Sequence, residues 1–149
     1  MLSESARMSS AAELRFRIPA PPPTRRQVRV AALDPASDRL VAALAQGAWP
    51  GVTFFAAAAP DRVERLAEEV AAADLVVMVT AAGADAHASA AIGEACSRRR
   101  VPTATFVVRP ATVDEAALSK TLAQVRPWSL MVVVAGDEGY VADVLGSFR

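Results

Sequence analysis

The hydrophobic positions of this chain fall into short continuous runs, separated by stretches in which they recur every three or four residues. Short apolar, largely β-branched runs spell buried strands, and the longer period spells helices with one apolar face. From residue 28 onward the two patterns alternate. Val28–Leu33, Val52–Ala57, Leu75–Thr80, Thr103–Val108 and Leu130–Ala135 are the expected strands. Between them lie helices with the stripes Leu40, Val41, Leu44, then Val63, Leu66, Val70, and later Leu118, Leu122, Val125. A further helix follows Thr80 and ends in Arg98-Arg99-Arg100, suited to a C-terminal dipole. A last one carries Tyr140, Val141, Val144, Leu145 and Phe148.

Local signals mark the ends of these elements. Asp34 or Ser37 is placed to cap the first helix, and Gly47 and Pro50-Gly51 stop it. Pro60-Asp61 opens the second, with Asp61/Arg65 and Arg65/Glu69 at ion-pair spacing. Thr112 and Glu115 have the spacing of a capping box, and Asp137 can cap the last helix. Strands apolar throughout, alternating with amphipathic helices, predict an α/β fold: a three-layer Rossmann-like sandwich around a five-stranded parallel sheet. The expected strand order is 2-1-3-4-5, which puts the ligand crevice between the loops after strands one and three. Residues 1–27 contain PAPPP and read as a flexible N-terminal arm, leaving 28–149 as a single domain.

Composition narrows the function classes. Acidic and basic residues balance at 16 each, which gives no general attraction to nucleic acid or an anionic membrane. No apolar run approaches the roughly 20 residues of a membrane span, and the first residues lack a secretory layout. A cytoplasmic location is expected, with a protein partner or a second copy as the class of partner. The single cysteine excludes an intrachain disulfide and a multi-cysteine metal site, and no metal is expected. Cys96 falls on a sheet-facing side of its helix and is expected as a buried thiol. Trp49 and Trp128 sit beside loop prolines, where aromatic rings plug the core.

The candidate site is the pair of switch-point loops, Asp34-Pro35-Ala36-Ser37-Asp38 and Ala81 through Ser89. Asp34, Ser37, Gly83, Asp85, Ser89 and, after the fifth strand, Asp137 are the candidate ligand-binding residues. Both loops precede helices whose free N–H groups suit an anion. Yet Pro35 removes one donor, glycine is scarce, and the aspartates repel phosphate. A receiver domain needs a phosphorylatable aspartate ending the third strand, where Thr80 stands, and a flavodoxin needs a hydroxyl-rich loop after the first. His87, the only histidine, is the one candidate acid/base. It needs Asp34 or Asp85 as an orienting partner. Because Asp85 and His87 are two apart on a segment entering a helix, they are not expected to share a face, and His87 is expected to face solvent.

Taken together, the chain resembles the nucleotide-binding half of the tubulin/FtsZ family. VRVAALDPASDRLVAALAQGAWPGVTFFAA resembles that family's first strand, glycine loop, helix and second strand. ADLVVMVTAAGADAHASAAIGEACSRRRVPTATFVVRP resembles the strand and signature loop that lead into the next helix and strand. LAQVRPWSLMVVVAGDEG resembles the following helix and strand, so the likeness covers most of residues 28–145. The family's specific residues are replaced. Its glycine-rich first loop is DPASD here, its GGGTGTG run is GADAHAS, and its guanine-contacting asparagine is replaced by Ala135-Gly136-Asp137. The family's third strand is absent, and removing it from the family order 3-2-1-4-5-6 leaves 2-1-3-4-5. The resemblance therefore implies an FtsZ-like binding or regulatory module with GTP binding lost or weak, no cofactor and no hydrolysis. The alternative is a small Rossmann-like enzyme or enzyme subunit that binds a nucleotide or phosphorylated metabolite at the loops after strands one and three.

Overall fold

The structure, a computed structural model, describes residues 26–57 and 63–147. The expectations placed on residues 1–25, on Pro60-Asp61 with its Arg65 pair, on the Val63 side chain and on Phe148 lie outside what it describes. The strands are β1 (Val28–Ala32), β2 (Val52–Ala56), β3 (Leu75–Ala81), β4 (Thr103–Val108) and β5 (Met131–Ala135). The helices are α1 (Pro35–Leu44), α2 (Val63–Ala71), α3 (Ala88–Arg99), α4 (Glu115–Val125) and α5 (Glu138–Ser147). A short 3-10 turn, Arg126–Trp128, links α4 to β5.

All strand pairings are parallel, and the order is β2-β1-β3-β4-β5, as the pattern predicts. Burial grades outward from the centre. β3 is buried along its interior, whereas β2 and β5 at the edges are only partly covered. Alternate strand residues feed two separate cores, as pleating requires. Ala31, Val76, Met78 and Val107 meet Leu66 and Val70 of α2, Ile92 and Cys96 of α3, and Leu118 and Val125 of α4. Val30, Val77, Val79 and Phe106 meet Leu40 and Val41 of α1 and Val141 and Leu145 of α5. The sheet is thus a three-layer Rossmann-like sandwich with α1 and α5 on one face and α2, α3 and α4 on the other.

Several boundaries differ from the sequence reading, each for a physical reason. The cap of α4 is Asp114, whose Oδ1 accepts from the Ala117 amide at 2.8 Å, so Thr112 does not start the helix. A carboxylate two residues nearer the apolar stripe displaces the threonine. Leu130 and Tyr140 are exposed rather than core residues, Leu130 because it precedes β5 and Tyr140 because it lies off the Val141–Leu145 stripe. The ion partner of Glu69 is Arg29 of β1, at 3.0 Å, a tertiary contact that helix spacing does not predict. Gln27, at the end of the expected arm, is tied to Asp74 through its amide at 2.8 Å.

Both tryptophans plug the core as expected. Trp49 donates from Nε1 to the Leu44 carbonyl at 2.6 Å and meets Phe54 edge-on. Trp128 packs against α3 where Gly93 leaves space. A Cβ there would lie 2.8 Å and 2.9 Å from its Cε3 and Cγ, and nearer still to its Cβ.

Candidate functional site

The polypeptide leaves β1 through Leu33, which is apolar and buried, and then presents Asp34 at the C-terminal end of the sheet. Asp34 is extended, with φ −148°, and buried, and it caps α1 by accepting from the Ser37 amide at 2.9 Å on Oδ1. Its other oxygen, Oδ2, accepts from the Ser37 hydroxyl, the Thr80 hydroxyl and the Ala81 amide, each at 2.9 Å. One carboxylate thus holds the start of α1 and the end of β3 together. All four contacts are short and donate to a charged acceptor, the stronger class of hydrogen bond. The candidates Asp34 and Ser37 therefore meet at the switch point but bond to each other and to the sheet.

Gly83 and Asp85 lie on the loop after β3 and Ser89 in the first turn of α3, and all three turn the other way, toward α4. Gly83 has φ +86°, which its lack of a Cβ permits, and its amide donates to Thr121 Oγ1 at 3.0 Å. The Ala86 amide donates to Gln124 Oε1 at 2.9 Å, and the buried Ser89 hydroxyl donates to the Gln124 carbonyl at 3.1 Å. Asp137 stands apart at the start of α5, where Oδ1 accepts from the Tyr140 amide at 2.9 Å. The six candidate binding residues form two separate networks and a lone helix cap.

His87 faces solvent as expected, with its side chain 75% exposed. The expectation that it does not meet Asp85 is corrected: His87 Nδ1 lies 3.1 Å from Asp85 Oδ2, and the His87 amide donates to Asp85 Oδ1 at 3.0 Å. The helical-face rule does not apply here, because α3 begins at Ala88 and both residues precede it. Gln124 Nε2 also donates to Asp85 Oδ1 at 3.0 Å. The Gln124 side-chain amide first, and the His87 backbone amide second, hold the Asp85 carboxyl below its ordinary value. With its own side chain 68% exposed, Asp85 and its imidazole partner form a pair in water. Cys96 is buried as expected, and desolvation pushes its thiol up to about 11, which leaves it a poor nucleophile at neutral pH.

The cavities follow from these networks. At the switch point, between Ser37, Ala81, Val108 and Glu138, the described residues enclose about 110 Å³. That is well below the roughly 300–1,000 Å³ of ordinary ligand pockets. A larger, open depression of about 680 Å³ lies between the Gly83–Asp85 loop and α4, lined also by Asp114, Ala117, Lys120 and Gln124. Its charged lining is two carboxylates against one ammonium, a field that disfavours phosphate. Among the described residues no cluster of three His, Cys, Asp or Glu side chains could hold a metal ion. No helix of the described residues is long and apolar enough to cross a membrane.

No family model matches the chain, and no curated protein matches it. Among solved structures it is similar to a pilus assembly protein, CpaE, from Burkholderia thailandensis, with 17% identity and a TM-score of 0.45. The similarity covers 83% of this chain and 97% of that one. Likeness at that level leaves function to the site itself.

The residues that build the site and that sequence reasoning missed are Thr80, Thr121 and Gln124. Thr121 carries a legible signal, because it sits one turn after Leu118 on the inward face of α4. A polar side chain on an apolar stripe needs a partner. Thr80 is a hydroxyl ending an apolar strand, a weaker form of the same signal.

Proposed function

We propose that this chain is an FtsZ-like binding or regulatory module that neither binds GTP tightly nor hydrolyses it. The observation that supports this reading is the carboxylate of Asp34, buried where a phosphate-binding loop would present backbone amides. It consumes the Ser37 and Ala81 amides that an anion would need, and it places negative charge there instead. The caps of α4 and α5 repeat the arrangement with Asp114 and Asp137. What remains for function is the molecule's outer surface, and a protein partner fits that better than a nucleotide. A thermal-shift series with magnesium and GTP, GDP and ATP tests it. A ligand at a hundred times its dissociation constant adds about 2.7 kcal/mol of stability, so tight binding cannot be missed. No shift at millimolar nucleotide is the expected outcome. Micromolar affinity by calorimetry, or magnesium-dependent phosphate release, overturns the proposal.

A second reading, a small enzyme, is favoured by one observation: His87 has an orienting carboxylate and stands on the loop that borders the 680 Å³ depression. The same assay extended to phosphorylated metabolites addresses it. A stabilising ligand whose effect is lost in His87→Ala supports the enzyme over the module.

A further inference from the structure

At its C-terminus α3 closes on Arg100, the one non-glycine residue with positive φ among the described residues, at +55°. The Arg100 and Val101 amides donate to the Ser97 and Cys96 carbonyls at 3.3 Å and 2.9 Å. Glycine usually holds such a left-handed position, because a Cβ there is strained. The helix dipole does not call for this arginine either, since Arg98 and Arg99 already stand in the last turn. Arg98 pairs with Glu94 at 2.8 Å, whereas among the described residues no carboxylate meets Arg100.

What Arg100 does border is a cleft of about 430 Å³ between the end of α3, the start of β4 and the 3-10 turn. Its volume is that of an ordinary ligand site, roughly 300–1,000 Å³. The lining divides by chemistry. Val101, Pro102, Trp128 and Leu130 make it apolar, and the Trp128 ring is fixed as one wall by the bare backbone of Gly93 behind it. Two of its hydroxyls are already engaged, Thr103 with the Trp128 carbonyl at 2.8 Å and Ser129 with the Val125 carbonyl at 2.7 Å. Ser97 and Arg100, one turn apart, offer the polar groups left for a ligand.

We propose that this cleft binds a small organic acid, a carboxylate carried on a flat apolar body. Its charged lining is one guanidinium and no carboxylate, the reverse of the depression beside α4 with its two carboxylates and one ammonium. A cation is repelled here, and a neutral ligand leaves the guanidinium unused. The planar fork of an arginine matches a carboxylate with two parallel hydrogen bonds, and the indole of Trp128 receives the apolar body. The cleft lies at the end of the sheet where β4 begins, whereas the switch-point loops lie where β1 and β3 finish. The inference therefore stands or falls separately from any reading of those loops.

An amide NMR titration of the full chain with cinnamate, and with cinnamamide as its uncharged counterpart, tests the proposal. The expected result is saturable shifts centred on Ser97–Thr103 and Trp128–Leu130, with cinnamamide binding about tenfold more weakly or worse. Arg100→Gly should weaken cinnamate by about tenfold while the melting temperature holds or rises, because glycine accepts the left-handed backbone without strain. Arg99→Ala, a neighbouring exposed arginine outside the cleft, should leave the affinity as it was. No saturable shift at these residues up to about 10 mM cinnamate, as when another part of the chain fills the cleft, overturns the proposal. So does cinnamamide binding as well as cinnamate, an Arg100→Gly chain that keeps its affinity, or an Arg99→Ala chain that loses as much.

Discussion

The loops after β1 and β3 each bring one aspartate to the approach of a helix, and the two residues do opposite things. Asp34 is buried, accepts four hydrogen bonds and binds two strands' ends together. Asp85 stands in water, accepts from His87 and Gln124, and leaves the loop beside an open depression. The residue type is the same, so depth sets the role. At the bottom of the crevice a carboxylate must be fully satisfied and becomes part of the framework. At the rim it needs no such partners, and its bonds shape a loop without closing it.

The largest effect is expected at Asp34. Asp34→Ala strands the Thr80 hydroxyl and the Ser37 and Ala81 amides in a dry site, and should cost about 3 kcal/mol in urea unfolding. Asp34→Asn separates the two tasks of the side chain. Its amide oxygen can still cap α1, whereas its amide nitrogen cannot accept from Thr80 and Ala81, so most of the loss should persist. If Asp34→Ala is nearly neutral, the contrast between the loops fails.

A smaller effect is expected on the β3 side. Thr121→Val keeps shape and removes the acceptor of the Gly83 amide, which should cost about 1–2 kcal/mol in the same measurement. Its loss should remain below that of Asp34→Ala, because only one main-chain donor is stranded.

The smallest effect concerns Asp85 and is read as a titration. Its carboxyl is held below the ordinary value, so its contribution to stability is present above the unfolded value of about 3.9 and is lost as pH falls through the folded one. Gln124→Glu keeps an acceptor for the Ala86 amide and replaces the donor to Asp85 with a like charge. NMR titration should then find Asp85 moved upward, with little change in melting at neutral pH. An unmoved Asp85 would show that Gln124 does not set its charge.

The fold was legible because it is written in local pattern. Thr103–Val108 was bounded to the residue, and the alternation of apolar runs with amphipathic stripes carried the strand order. The site was less legible because its decisive contacts are tertiary. Asp34 could be read as a cap, but nothing in DPASD tells that Thr80, 46 residues on, completes its shell. Rules tied to one element misled where that element had not begun. Thr112 lost the cap to Asp114, and the pair Asp85–His87 formed in the loop that helical spacing had excluded it from.

The two tryptophans divide the molecule in a way that light can follow. Trp49 belongs to the layer of α1 and α5, and Trp128 to the layer of α2, α3 and α4, with the sheet between them. The chain has no other indole. Each ring is therefore an intrinsic fluorophore for one side of the sandwich, and Trp49→Phe or Trp128→Phe leaves a single-colour report of the other. Because Trp128 rests on the bare backbone of Gly93, its emission should redden as soon as α3 lifts from the turn before β5.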